Sequence, residues 1–323
     1  MKITNEYNIP AVLQVWLGAD NYDYVNKPKY ISATTLEKSA KQIILASRVK
    51  PEDQSMDMSD LIATKLGEAV HESIEAAWIK SLPNALKNLS ETEAFKGVSP
   101  EDIVINPQTE EEAKGKIVIN IEQRAFKEID GFTIGGKFDF VGEGKLHDFK
   151  TTSAYTWMNQ SRVPEFVKQG SIYRWLNPEL ITSDDVTICY IFTDWSKASA
   201  KANPKYPQCR VIAEKYPLLS MEATEHFIRA KLALLNKYWD SPEEEIPDCN
   251  DEELWRTPDK FKYYSKPGAV RATKVFDNMM DAVKFQTSKS GVGEIRVQKG
   301  SPRACMYCKA ACICQQRKRY EEA

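Results

Sequence analysis

The sequence predicts an α/β protein, and three observations carry that expectation. Two N-terminal segments place apolar residues at helical spacing. Between Lys116 and Thr152 the pattern changes to extended runs cut by Gly-containing turns. A further helical segment then leads into a near-continuous apolar run, Val186 to Thr193. With 323 residues, 42% of them hydrophobic and 28% charged, the chain is long enough for one or two domains with real cores. Its 14 Gly and 16 Pro sit in the globular range and exclude a collagen, a mucin stalk or a wholly disordered chain.

Each element has a local reason. Thr34 and Glu37 have capping-box spacing, and Leu36, Ala40, Ile43 and Ile44 follow at helical intervals, which predicts a first helix from Thr35 to Arg48. A second helix is expected from Ser59 to Lys80, striped by Ile62, Leu66, Val70, Ile74 and Trp78. Ile117–Lys127, Phe132–Val141 and Leu146–Thr151, separated by Asp130-Gly131 and Gly142-Glu143-Gly144, read as a three-stranded β-meander. Pro164 suits the first turn of a helix buried through Phe166, Ile172, Tyr173 and Leu176. Val186–Thr193 reads as an interior strand. Beyond it lie a strand at Arg210–Glu214, a helix at Met221–Trp239, and short strands at Phe261–Tyr264, Thr273–Phe276 and Glu294–Val297 around a helix at Asp277–Gln286.

Net charge is −2, so the overall balance names no polyanionic partner. Charge is nevertheless sorted: Asp240–Glu253 holds eight acids and no base, read as a solvated loop, and Arg296–Arg319 holds seven bases and no acid, read as bland or phosphate-holding. The longest apolar runs are too short to span a bilayer, and the N-terminus lacks a basic segment followed by an apolar one, so a soluble intracellular protein is expected. Of seven cysteines, Cys305, Cys308, Cys312 and Cys314 fall close together. An odd total without a secretion signal argues for metal or free thiols over disulfides.

The chemistry concentrates in the meander. Alternation puts Asp148 and Lys150 on one strand face. If the Gly142–Lys145 connection is a tight hairpin, Asp139 lies opposite Asp148, with Cβ atoms about 5 Å apart. Two carboxylates that close ask for a cation, and oxygen ligands suit Mg²⁺ or Mn²⁺. The bland reading is an Asp/Lys ladder on a wet sheet face. On the second helix Gly67, His71 and Glu75 form one stripe, and on the later helix Gln169 and Tyr173 stand one turn apart. A lone helical His is more often structural than a ligand, and a Gln/Tyr pair more often packing.

Taken in order, Gly67-x3-His71-x3-Glu75, Glu122, Gly136-x2-Asp139, Asp148-x-Lys150-Thr151 and Gln169-x3-Tyr173 resemble the RecB-like branch of the PD-(D/E)xK nuclease superfamily. The resemblance covers about Ile31 to Leu176. It implies a mixed central sheet with flanking helices, a restriction-endonuclease-like core, beside a helical N-terminal part and a Cys-rich C-terminal segment. The expected division is 1–110 for the N-terminal part with the His motif, 111–240 for the core and 241–323 for the C-terminal strands, helix and cysteines. By the resemblance His71, Asp139, Asp148 and the Phe149 carbonyl would be metal ligands and Lys150 the catalytic lysine. Gln169 and Tyr173 would place the lysine and the DNA strand, and Glu122 would be the first-strand acid. The superfamily's eponymous Pro is absent, since Lys137-Phe138 precedes Asp139, but Gly136 supplies the Gly usual in this branch.

Cys305-x2-Cys308-x5-Cys314 is similar to the C-terminal spacing of iron-sulfur RecB-type nucleases, whose fourth cysteine lies in an N-terminal helix. Here no cysteine precedes Cys189. Cys312 could complete a four-thiolate site. Metal-free, zinc and iron-sulfur readings stay open, the imperfect spacing leaning to the first. The function implied is a divalent-metal-dependent DNA nuclease, an end-directed exonuclease of phage or mobile-element recombination. It would work in the cytoplasm (the host's if phage-encoded), beside a recombination or single-strand-annealing partner. The alternative is a catalytically silent nuclease-fold module for DNA binding or assembly.

Overall fold

Glu143 and Gly144 both take positive φ, +48° and +79°, the backbone of a type I′ turn, and this turn sets the register of the hairpin that carries the acidic motif. The computed structural model describes residues 2–321. The chain divides into two units, Lys2–Glu37 with Ser55–Ala233, and Lys38–Gln54 with Leu234 onward. In the larger unit the elements around the site are, in chain order, α1 (Ala11–Gly18), β1 (Tyr30–Ser32), α2 (Met58–Lys80), β2 (Ile103–Ile105), β3 (Ile117–Ile121), β4 (Arg124–Ile129), β5 (Phe132–Lys137), β6 (Phe140–Gly142), β7 (Lys145–Thr152), α3 (Val163–Leu176), β8 (Asp185–Phe192) and β9 (Val211–Pro217).

The fold is mixed α/β. Six strands pair in the order β9-β8-β7-β6-β3-β2. In this sheet β8 runs parallel to β7 and β2 parallel to β3, and the other neighbours are antiparallel. A second sheet has the order β1-β5-β4. The expected three-stranded meander is therefore not one sheet. Its first two runs bend at Glu122-Gln123 and at Phe138-Asp139, so that β3 and β6 join the large sheet while β4 and β5 join the small one. Glu122 has φ +52° at the bend, and the crossing is held by Glu122 N donating to Asp139 O and Phe138 N donating to Gln123 O. A left-handed Glu carries no favourable local signal, which is why the runs looked continuous.

The helices lie on opposite faces of β7. Leu146, Asp148 and Lys150 share one face by alternation; there a Cβ built on Gly170 of α3 would stand 3.3 Å from Leu146 and from Val186, an approach only Gly leaves comfortable. On the other face a Cβ at Gly67 of α2 would stand 3.2 Å from Thr151 Oγ1, and Trp78 of α2 packs on Phe140 with centroids 5.1 Å apart. Leu146, Ile172, Val186 and Ile188 are fully buried between α3 and the sheet. The stripe expected along α2 is only partly covered: no residue of that helix is fully buried, and Leu66 is exposed.

The first predicted helix is two. A short helix, Ala33–Leu36, is capped by Ser32, and a second, Ala40–Arg48, by a Ser39/Gln42 capping box. The Thr34/Glu37 spacing is not a cap, because Ser32 already caps the short helix by accepting from Thr35 N, which puts Thr34 inside it. The chain changes unit at this break.

In the smaller unit Lys260–Tyr264 is the middle strand of a three-stranded antiparallel sheet, between Lys274–Phe276 and Glu294–Gln298. The acidic run is not simply solvated. Lys41, only 4% exposed, pairs with Asp248 at 2.7 Å and Glu243 at 3.5 Å, and Arg319 also pairs with Asp248. The basic stretch is engaged in the same way, Arg296 with Glu294, Lys299 with Asp259 and Arg317 with Glu321. Among the described residues no helix is long and apolar enough to cross a membrane.

Candidate active site

The hairpin register pairs Phe140 with His147, and continued by one step it aligns Asp139 with Asp148. Asp139 has left the strand at that point and turns its carboxylate along β7: Oδ2 accepts from Phe149 N at 2.8 Å. Oδ1 lies 3.4 Å from His71 Nδ1, while His71 Nε2 lies 3.1 Å from the Phe149 carbonyl oxygen. One turn of α2 thus brings His71 against two of the oxygens that the sequence pattern assigned to a metal. Burial lowers the His71 pKa, but the hydrogen bond and charge of Asp139, with the charges of Asp148 and Glu122, outweigh it and raise the net value.

Among the described residues His71, Glu122 and Asp139 form a group whose ligand atoms all lie within 4.8 Å of one another. Glu122 reaches this group through the left-handed bend described above; burial pushes its carboxyl up, and Lys137 at 2.5 Å partly offsets that. Asp148 is not in the group. It is 3% exposed, its Oδ2 is sealed from water without accepting a hydrogen bond, and Lys150 Nζ lies 2.7 Å away as an ion pair out of hydrogen-bonding line. Burial pushes its carboxyl up to about 6, against the attraction of Lys150. Asp148 thus already has a cation in the Lys150 ammonium, whereas the imidazole of His71 and the carboxylates of Glu122 and Asp139 form a donor set that fits a hard divalent ion.

Lys150 is fixed from three sides. Besides Asp148, its Nζ donates to Gln169 Oε1 at 3.1 Å, and Gln169 Nε2 donates to Tyr173 OH at 2.6 Å. Phe166 lies 5.0 Å below the ammonium. Burial keeps the Tyr173 phenol well above its ordinary pKa, hence neutral. Gly136 is required by this chain of contacts: a Cβ there would stand 2.8 Å from Tyr173 Cδ1 and 2.9 Å from Leu176 Cδ1.

A cavity of about 510 Å³ opens beside the group. His71, Glu122, Asp139, Gly136 and Tyr173 line it together with Trp16, Tyr22, Tyr30 and Arg124, and Glu68, Glu72 and Glu75 of α2 also border it. Asp148 and Lys150 do not line this space.

Within the smaller unit a second, small cavity of about 20 Å³ is bordered by Cys249, Cys305, Cys308 and Cys314. Cys312, expected from sequence as the fourth thiol, is exposed and absent from that border. Cys249 is on that border, with its backbone N–H and carbonyl both bonded by Gln316 and its Sγ 3.0 Å from Ser39 Oγ. Burial pushes the Cys249 thiol up to about 11 and raises Cys305 and Cys314 as well, so all three stay protonated until something replaces the proton. Arg124 and Cys249, which the sequence did not single out, line these two cavities; the only sequence signal for Cys249 is its identity.

No protein-family model matches this chain, and no curated protein matches it. Among solved structures, SSO0001 aligns with 70% of this chain and 85% of its own at 15% identity and a TM-score of 0.40. A phage-related exonuclease from Haemophilus somnus 129PT aligns with 68% of this chain and 96% of its own, at 12% identity and a TM-score of 0.29. Both are weak likenesses, and nothing below rests on either.

Proposed function

We propose that this protein is a divalent-metal-dependent DNA nuclease with a restriction-endonuclease-like core of the RecB-like branch, acting from strand ends. The observation that carries the reading is the convergence of His71, Glu122 and Asp139 within 4.8 Å, next to an Asp148–Lys150–Gln169–Tyr173 chain. His71, Asp139, Asp148 and the Phe149 carbonyl, with Glu122, would hold Mg²⁺ or Mn²⁺, which when bound supplies Lewis acidity to a phosphate and acidity to a water. The protein's own residues do the rest. Asp139 ties β7 to α2 through Phe149 N and His71, so the donors are held in place before substrate arrives. Gln169, oriented by Tyr173, and Asp148 hold the Lys150 ammonium where it can orient a water and offset charge developing on a phosphate oxygen.

The thiols extend the proposal: Cys249, Cys305, Cys308 and Cys314 would hold a structural iron-sulfur or zinc centre in the smaller unit, with Cys312 outside it. The test of the main reading is digestion of end-labelled linear DNA and of closed circular DNA in Mg²⁺, Mn²⁺ or EDTA. The expected result is label release from linear DNA with metal, none in EDTA, and survival of the circle. Binding of DNA without cleavage in any metal would instead favour a silent nuclease-fold module.

A further inference from the structure

We propose that Arg124 holds a DNA phosphate beside the acidic group, and that Asp23 occupies that phosphate's place until DNA displaces it. The inference rests on the nuclease reading and adds a binding residue to it.

Arg124 opens β4 two residues after Glu122 and pairs in register with Lys137 of β5, so both project beside the site. Its side chain is only 12% exposed, and Nε and Nη2 are both sealed from water and donate no hydrogen bond to any described residue. Those two N–H groups form one edge of the guanidinium, the edge that meets two oxygens of a phosphate in parallel. A guanidinium is always charged, and leaving this edge unused inside a protein is costly unless a ligand completes it. The Tyr22 ring lies 5.8 Å from the centre of the same guanidinium.

The nearest carboxylate is a poor substitute for a partner. Asp23 Oδ2 stands 3.5 Å from Nη2, beyond the length of about 2.8 Å that such a charged bond takes, and its side chain is 84% exposed. Asp23 belongs to the irregular segment between α1 and β1, and with Tyr22 and Arg124 it walls the cavity that His71, Glu122 and Asp139 border. The other cations of that wall are already engaged. Lys137 pairs with Glu122, and Lys65 with Glu68 and the Ala19 carbonyl. With Glu68, Glu72 and Glu75 also on the wall, the cavity repels anions except where Arg124 can receive one. A strand phosphate is an anion with two free oxygens, and the strand must in any case approach this group to be cut.

The test measures fluorescence anisotropy of a fluorescein-labelled oligonucleotide in Ca²⁺ over a range of salt, for wild type, Arg124→Gln, Arg124→Lys and Asp23→Asn, with Mn²⁺ binding by calorimetry alongside. Arg124→Gln should weaken DNA binding about ten- to hundredfold, the range of a lost charge-assisted bond, and make the salt dependence shallower by about one ion, with Mn²⁺ binding retained. Arg124→Lys should recover the salt slope but not the full affinity, because a point charge cannot replace the fork. Asp23→Asn, at an exposed site where folding is not at risk, should tighten binding severalfold by removing the competing carboxylate. Wild-type affinity in Arg124→Gln, or unchanged or weaker binding in Asp23→Asn, overturns the inference while leaving the nuclease reading intact. A wild-type protein that neither binds nor cleaves DNA overturns both.

Discussion

Glu37 is a half-buried residue with one carboxylate oxygen that nothing among the described residues satisfies. It follows the short helix Ala33–Leu36, and its Oε2 is sealed from water with no hydrogen-bond partner. Burial pushes it from the ordinary 4.5 up to about 8, Glu165 adds to the rise, and Lys168, Lys150 and Arg162 offset only part. The sign follows from proton linkage: the folded state holds the proton more tightly than the unfolded chain, so stability falls as pH rises from about 4.5 to about 8 and is level above that. At 1.36 kcal/mol per pH unit the span corresponds to about 5 kcal/mol, an upper limit because water entry or a rotamer change relieves some of it. Glu37→Gln removes the ionisation and keeps the shape. Urea unfolding at pH 4.5 and pH 9 should therefore show less than about 0.5 kcal/mol difference between variant and wild type at the lower pH, and a variant more stable by up to about 5 kcal/mol at the higher. Parallel pH profiles for the two proteins would refute the reasoning and place the Glu37 carboxylate in water.

Two other substitutions separate site chemistry from structure. Asp139→Asn should abolish metal-dependent cleavage yet unfold at nearly the wild-type urea concentration, since an amide oxygen can still accept from Phe149 N; Asp139→Ala should lose about 1–3 kcal/mol more for the orphaned N–H. In protein purified without oxygen, metal analysis and visible absorbance should show that Cys249→Ser loses bound iron or zinc and that Cys312→Ser keeps it; equal metal content in both variants would contradict the assignment of Cys249.

Much of this site was legible because its parts sit on regular elements. The helical period of Gly67, His71 and Glu75 fixed one stripe of α2, and that stripe delivers His71 to Asp139 and Phe149. The spacing of Gln169 and Tyr173 likewise delivers the chain that ends on Lys150. What could not be read depended on irregular backbone or long-range folding. The left-handed Glu122 splits one apparent meander into two sheets and brings Glu122 to the acidic group ahead of Asp148. Asp148 instead spends its charge on Lys150, a pairing of neighbours on one strand face that the alternation itself implied. Cys249 borders the later cysteines across a long stretch of chain, with Gln316 bonding its backbone, and Arg124 looks in sequence like any charged residue on a strand.

The most direct test of the central claim is Lys150→Ala, read by single-turnover cleavage of end-labelled DNA in Mg²⁺ beside DNA binding in Ca²⁺. Lys150 carries no ligand oxygen and is held by Asp148 and Gln169; if, as proposed, it works on the reacting phosphate, cleavage at saturating DNA should fall by about a hundredfold or more while Ca²⁺-supported affinity changes little. Near-normal cleavage at saturation, with weakened affinity and a shallower salt dependence, would contradict the account and reduce Lys150 to a phosphate contact.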